Sequence, residues 1–287
     1  MNKLKAFFQL IKFEHTLFAL PFAYLGLFLA EGGFPRGSIF FWTSLTMVSI
    51  RTCGMALNRL ADESIDARNP RTVGRKKLIE LLTHPILWFA TVFSAAIFLF
   101  STHRLNTLCF ALAPIPIFLV FVYPFLKRFT WLSHFWLGAI LGLAPLGGWL
   151  ASRGVWSWSP VLLTLAVMFW VSGFDMFYAL QDMEFDRLEH LKSFPARFGA
   201  KATLLVTRFL HALTILMLAV SGFVFGLGIW YGIGVVLAAG FILKEHVLLA
   251  RFGLQKINEA FFNLNAWVSV IIFLGVFLEA VFPLHQS

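Results

Sequence analysis

Between Phe209 and Leu243 the chain carries no Asp, Glu, Lys or Arg. As a single helix that run would extend about 50 Å, well past the roughly 30 Å hydrocarbon thickness of a bilayer. Gly222, Gly226, Gly228 and Gly232 fall within or beside its middle and supply the turn that divides it in two. The same criterion, an uncharged apolar run, marks residues 16–31, 39–60, 86–102, 105–125, 132–151, 157–178, 207–225, 229–247 and 261–282 as spans. The expected fold class is therefore all-α integral membrane, with nine transmembrane helices in one domain over residues 1–287. Composition agrees: only 13% of residues are charged, against roughly a quarter in a soluble domain. Lys3 and Lys5 ahead of an apolar run imitate a signal peptide. Glu14 and His15 interrupt that run, and Phe28-Leu29-Ala30-Glu31 makes a poor cleavage site, so an uncleaved first span is expected.

Basic residues set the expected orientation. With the N-terminus inside, the cytoplasmic segments hold Lys3, Lys5 and Lys12; Arg68 to Lys77; Lys127 and Arg128; Arg187, Lys192, Arg197 and Lys201; and Lys244, Arg251 and Lys256. The opposite side holds Arg36, Arg104 and Arg153, one per loop. The net charge of +9 is read as these basic loops facing anionic lipid, not as a nucleic-acid footprint. Cys53 and Cys109 both fall in expected spans and frame neither a disulfide nor a metal site. No phosphate-cradling glycine loop, dinucleotide fingerprint, His-Glu-x-x-His or Cys-x-x-Cys is present. No obligatory protein partner is evident.

The acidic residues are unevenly placed. Of 14 Asp and Glu, eight lie in two short stretches: Asp62, Glu63 and Asp66, then Asp175, Asp182, Glu184, Asp186 and Glu189. Asn58, Asp62 and Asp66 sit at i, i+4 and i+8, one column on one helical face. The helix macrodipole disfavours carboxylates at a C-terminal end, so this column requires a cation. The candidates are a bound metal and the basic segment that follows, Arg68, Arg71, Arg75, Lys76 and Lys77. Asp175, Tyr178, Asp182 and Asp186 form a second such column at the end of a later apolar run. The second and sixth expected spans run in the same direction, so both columns emerge at the cytoplasmic face. The likeness of the two stretches hints at a pseudo-repeat of four helices each, plus one.

Carboxylates converging at one face, ringed by Arg and Lys, suit a hard divalent cation that itself holds phosphate oxygens. Mg²⁺ favours one or two carboxylates with phosphate and water over an all-protein cage. Two Asp columns could each hold one Mg²⁺ and clamp a diphosphate, stabilising it as a leaving group. Arg71, Arg75, Lys127, Arg128 and Lys192 lie on segments near that face and could contact its oxygens. The bland alternative is that the acids pair with juxtamembrane basic loops and serve folding alone. Arg51 lies seven positions before Asn58, on the same face and about 10 Å deeper. It could receive the carboxylate of an aromatic acid, or pair with Asp62 or Asp175. Most of the 35 Phe and ten Trp are read as facing lipid or packing helices, though such walls also suit a polyprenyl tail. Gly138, Gly142, Gly147 and Gly148 are read as points of close helix approach. His15 and His190 are read as interfacial histidines rather than sites.

At these residues the chain resembles the UbiA-type intramembrane prenyltransferases, the family of 4-hydroxybenzoate polyprenyltransferase. The resemblance rests on Arg51-x-x-Gly54, Asn58-x-x-x-Asp62-x-x-x-Asp66 and Arg71-Thr72. It continues in Asp175-x-x-Tyr178-Ala179-x-x-Asp182-x-x-x-Asp186, Lys192-Ser193 and Phe198-Gly199. It implies nine helices around a central cavity open at the cytoplasmic face of a bacterial inner membrane. The implied activity is Mg²⁺-dependent transfer of a prenyl chain from polyprenyl diphosphate to an aromatic acid acceptor. By position, Asn58, Asp62, Asp66, Asp182 and Asp186 take the metal role and Arg71 and Lys192 the diphosphate role. Arg51, Asp175 and Tyr178 line the acceptor side, with Asp175 as the candidate for taking the ring proton. Arg59 stands where some members have Asp, and Arg75-Lys76 where Arg-Pro is frequent. The stretch Lys12 to Pro21 is similar to a bacterial subgroup associated with 4-hydroxybenzoate transfer or with menaquinone synthesis. The acceptor is thus 4-hydroxybenzoate in ubiquinone synthesis or, alternatively, a dihydroxynaphthoate in menaquinone synthesis. A reading of another class is a transporter with an interfacial ion site. Depth discriminates, because transport sites sit near the midplane.

Overall fold

Every element in the computed structural model is helical among the residues it describes, 2–253 and 257–282, with side chains described outside 14–18 and 257–263. Lys256 and the side chains of Glu14 and His15 therefore lie outside the described residues. The order is α1 (Lys3–Leu10), α2 (Glu14–Glu31), α3 (Gly37–Asp66), α4 (Gly74–Leu82), α5 (His84–Leu105), α6 (Thr107–Leu112) and α7 (Pro114–Phe129). Then come α8 (Ser133–Arg153), α9 (Ser159–Ala179), a 3₁₀ turn (Leu180–Asp182), α10 (Met183–Leu188), α11 (Phe194–Val224), α12 (Ile229–Phe252) and α13 (Ile257–Val281).

Each expected span falls on a helix, but two boundaries move for physical reasons. The span expected at 105–125 is interrupted at Ala113, because Pro114 has no N–H to continue the ladder and opens α7 instead. The helix expected from residue 207 begins at Phe194, where Ser193 caps it by accepting from the Ala196 N–H and Pro195 occupies the first turn. A charge-free criterion stops short there, since Arg197 and Lys201 lie in the added turns. Gly199, at φ 78°, bends α11 within that extension. The long apolar run does divide near its glycines: α11 ends at Val224, Gly226 takes φ 63°, and α12 starts at Ile229.

Two helices were not expected. Amphipathic α1 and α4 pack together through Ala6, Leu10, Ile79 and Leu82, with Leu87 closing the cluster. The segment read as a basic loop is therefore partly helical, with Arg75, Lys76 and Lys77 in the first turn of α4. By length and apolar character, seven helices among the described residues can cross a bilayer, and Ala19–Glu31 forms a shorter apolar helix. Helix α3 is not among the seven; Ser, Thr and Gly dilute its first half, and Arg51, Arg59, Asp62, Glu63 and Asp66 its second.

Lipid offers no hydrophobic drive between helices, so small residues and close backbone contact hold the bundle. A Cβ at Gly148 would fall on the Ala23 carbonyl of α2, and one at Gly26 on the Pro145 carbonyl of α8. Gly138 and Gly142 bring α8 against Met168, Ser172 and Thr164 of α9 in the same way. Gly147 does not belong to this set: nothing lies within 4 Å of its Cβ position. It faces a cavity instead. Phe22, Phe28, Leu163, Val167, Trp170 and Ile272 fill the core between α2, α9 and α13.

Gly148→Ala should destabilise the protein by about 1–3 kcal/mol or more through overpacking against α2. Gly147→Ala should be neutral or slightly stabilising, since helix propensity favours Ala by up to about 1 kcal/mol. Thermal unfolding of the detergent-solubilised protein distinguishes the two. Equal midpoints would remove the α2–α8 contact from the account of stability.

Candidate active site

Helix α3 is continuous from Gly37 to Asp66, so Arg51, Asn58 and Asp62 keep their helical register. Asp62 is buried, and its Oδ2 accepts from Lys127 Nζ at 2.6 Å. Its Oδ1 is buried with no hydrogen-bond partner. Asp66, one turn on, accepts from Arg75 at 2.9 and 3.0 Å and lies 3.7 Å from an Arg59 nitrogen. Arg59 is itself buried and donates through Nε to the Leu10 carbonyl at 3.0 Å, tying α1 to α3. The basic segment thus compensates the end of α3, as one of the two expected alternatives has it.

The second column is not one straight helix. Helix α9 ends at Ala179, and the 3₁₀ turn Leu180–Asp182 resets the register before α10 carries Asp186. Asp182 points back toward the segment after α3. Its Oδ1 accepts from Asn69 Nδ2 at 3.0 Å and from Arg71 Nε at 2.9 Å, and its Oδ2 pairs with the other arm of Arg71. Arg71 also donates to the Tyr178 hydroxyl, and its guanidinium lies 4.6 Å from that ring's centre. Burial disfavours the Arg71 cation, but Asp182 and Tyr178 outweigh it and raise its pKa above the usual arginine value. Asn69 braces the turn by accepting from the Arg71 N–H at 2.9 Å. The C-terminal ends of α3 and α9 therefore meet at one end of the bundle.

A cavity of about 650 Å³ opens between them. Its wall includes Arg51, Asn58, Asp62, Arg71, Arg75, Lys127, Asp175, Tyr178, Asp182 and Asp186, so both acidic stretches face one space. Away from them the wall is mainly apolar, with Met47, Ile50, Val120, Leu137, Leu141 and Ala144 among its residues. Asp66 is not on the wall and reaches it through Arg75 and Arg59, which are. Arg128 and Lys192 also lie off it. Arg128 is exposed and donates to the Ala61 carbonyl, while the exposed Lys192 donates its backbone N–H to the Lys127 carbonyl at 2.7 Å. Arg51 forms an ion pair with neither Asp62 nor Asp175, and its Nε is buried with no partner among the described residues.

Three residues on or beside the cavity escaped the sequence reading. Lys12 lines the cavity, Asn69 is buried at the clasp on Asp182, and His134 sits on the wall bonded to Asp175 at 2.6 Å. Asn69 has a local signal, the turn dipeptide Asn69-Pro70 directly after the acidic column. His134 stands alone in an otherwise apolar run, next to the segment's expected start.

The donor set fits a hard divalent cation. Asp62 Oδ1 is an orphaned buried acceptor, worth roughly 1–3 kcal/mol of desolvation if nothing satisfies it, and Asn58 adds an amide on the same wall. No cluster of three or more His, Cys, Asp or Glu among the described residues could cage a metal alone.

Comparisons with known proteins give a family and a fold. The model of the UbiA prenyltransferase family matches residues 19–268. A 4-hydroxybenzoate octaprenyltransferase of Nitrosomonas europaea is 28% identical, with the match covering 100% of this chain and 98% of that one. The apo structure of a UbiA homolog from Aeropyrum pernix K1 superposes with a TM-score of 0.84 at 33% identity, over 93% of this chain and 98% of that one. A UbiA homolog from Archaeoglobus fulgidus, solved bound to GPP and Mg²⁺, shares the fold at 20% identity and a TM-score of 0.76, over 96% of this chain and 99% of that one.

Asn69→Ala removes the bond to Asp182 and the brace on the Arg71 N–H, about 1 kcal/mol each. Limited trypsin digestion should then cut at Arg68, Arg71 or Arg75 severalfold faster than in the unsubstituted protein. An unchanged cleavage rate would show that the turn is held without Asn69.

Proposed function

This chain belongs to the UbiA prenyltransferase family, and from that premise we propose that it transfers a polyprenyl group from polyprenyl diphosphate to 4-hydroxybenzoate or a closely related aromatic acid in respiratory quinone synthesis. One observation carries the reading: carboxylates and cations from two distant stretches line the same cavity, whose remaining wall is mainly apolar. A charged headgroup and an isoprenoid tail need those two environments side by side. Support for the acceptor comes from full-length relatives named 4-hydroxybenzoate octaprenyltransferase.

Asn58, Asp62, Asp182 and Asp186 are the residues that would hold Mg²⁺. The metal would supply positive charge to a departing diphosphate. Arg71, Arg75 and Lys127 stand on the same wall for its oxygens, and Asp66 acts through Arg75. Arg51, buried with an unpaired Nε, is the partner for the acceptor's carboxylate. The allylic C–O bond breaks, and the ring carbon beside the hydroxyl bonds to the freed prenyl carbon. The displaced ring proton passes to Asp175, whose wall position beside Tyr178 supports that role. The Lys and Arg asymmetry supports a cytoplasmic opening at a bacterial inner membrane, with α2 and α3 bringing the spans to nine.

Membranes holding the protein should form prenylated product from labelled prenyl diphosphate and 4-hydroxybenzoate with Mg²⁺, and none with a chelator. Product with a dihydroxynaphthoate alone would reassign the acceptor, and no product with either would refute prenyl transfer to this class. Asp62→Ala and Asp182→Ala should each lower kcat by about 10²-fold or more without loss of protein from the membrane. Arg71→Ala and Lys127→Ala should raise KM for the prenyl diphosphate by about tenfold or more, and Arg128→Ala and Lys192→Ala by no more than about threefold.

A further inference from the structure

His134 occupies the first turn of α8 and is buried, with both ring nitrogens engaged. On one side, Nδ1 lies 2.6 Å from Asp175 Oδ2. On the other, the Phe194 backbone N–H donates to Nε2 at 3.3 Å. A backbone amide can only donate, so Nε2 must carry its lone pair. The ring proton of the neutral imidazole is thereby fixed on Nδ1, which donates to Asp175. Phe194 opens α11, so its N–H is one of the orphan donors of a helix start and needs an acceptor from elsewhere.

Packing places the pair. Gly138, one turn beyond His134, lets α8 settle onto Ser172 and Met168 of α9, and Asp175 is one turn beyond Ser172. No side chain could replace Gly138 without separating the helices that bring His134 and Asp175 into contact. The Asp175 carboxylate makes no other hydrogen bond among the described residues and is 21% exposed, on the cavity wall.

We propose that His134 is the positioning residue for Asp175: locked by Phe194 as the Nδ1–H tautomer, it holds Oδ2 and leaves Oδ1 to take the ring proton. The inference rests on the assignment of Asp175 as ring-proton acceptor. As the ring C–H bond breaks, its electron pair restores aromaticity and the proton forms an O–H bond on Asp175. Nε2 is closed by the Phe194 N–H, so the proton cannot be relayed through the imidazole. Asp175 discharges it through the cavity instead. This accounts for a buried histidine in an apolar run that neither metal nor diphosphate binding requires.

The test is steady-state prenyl transfer to the acceptor carrying hydrogen or deuterium beside its hydroxyl, with protein level and prenyl diphosphate binding measured alongside. His134→Leu should lower kcat by about 10²-fold, leave both KM values within about threefold, and produce a ring-deuterium isotope effect of about 2 or more where the unsubstituted protein shows a value near 1. His134→Asn keeps a donor near the Nδ1 position and should retain kcat within about tenfold. A merely structural histidine would change protein level or binding, not the isotope effect. Asp175→Asn turning over normally overturns the proton-acceptor assignment and this inference with it. A slow Asp175→Asn with a fully active His134→Leu, lacking an isotope effect, overturns the role of His134 alone. If His134→Leu does not accumulate in the membrane, His134→Asn decides: a hundredfold loss of kcat in folded, substrate-binding protein overturns the proposal.

Discussion

Charge compensation at the end of α3 is the constraint around which the rest is arranged. Two carboxylates, Asp62 and Asp66, are buried where the helix dipole already places negative charge, so each must find a cation. The cations come from separate elements: Lys127 from α7, Arg75 from α4, and Arg59 from α3 itself. Removing Lys127 would leave the buried Asp62 charge without its ion pair, which costs far more than the pair gains, whereas Asp66 is shared by Arg75 and Arg59. These pairs consequently fix where α4 and α7 sit relative to α3. The same rule joins the two halves of the chain, because Arg71 and Asn69, which follow α3, satisfy Asp182 after α9.

That arrangement gives the cavity its polarity. Ion pairs concentrate at one end, where the helices of both stretches terminate, while close glycine contacts pack the helices behind them. A polar head and an apolar tail are thus sorted by position along one space. On the cavity wall the charge compensation is incomplete at Asp62 Oδ1 and Arg51 Nε. An unpaired acceptor beside the acids and an unpaired donor deeper in the wall are complementary to a cation and an anion. A buried polar group without a partner carries a desolvation cost that a bound ligand of opposite character can offset.

Membrane character, the order of the apolar helices and the two acidic stretches were legible in the residues, because each depends on local composition or on helical periodicity. Asn58 and Asp62 share a face by spacing alone, whereas Asp66 lies off the wall they line, and the glycines near residue 226 divide the longest apolar run for a purely local reason. Tertiary structure decided what crosses between segments. It chose Arg71 and Asn69 as partners for Asp182, put Arg128 and Lys192 off the cavity wall, set Gly147 apart from Gly148, and gave His134 its two bonds. Those choices turn on which helix face meets which neighbour and on a 3₁₀ turn that shifts the register at Asp182. Both are set by packing over long separations in the chain, and one-dimensional spacing carries no record of them.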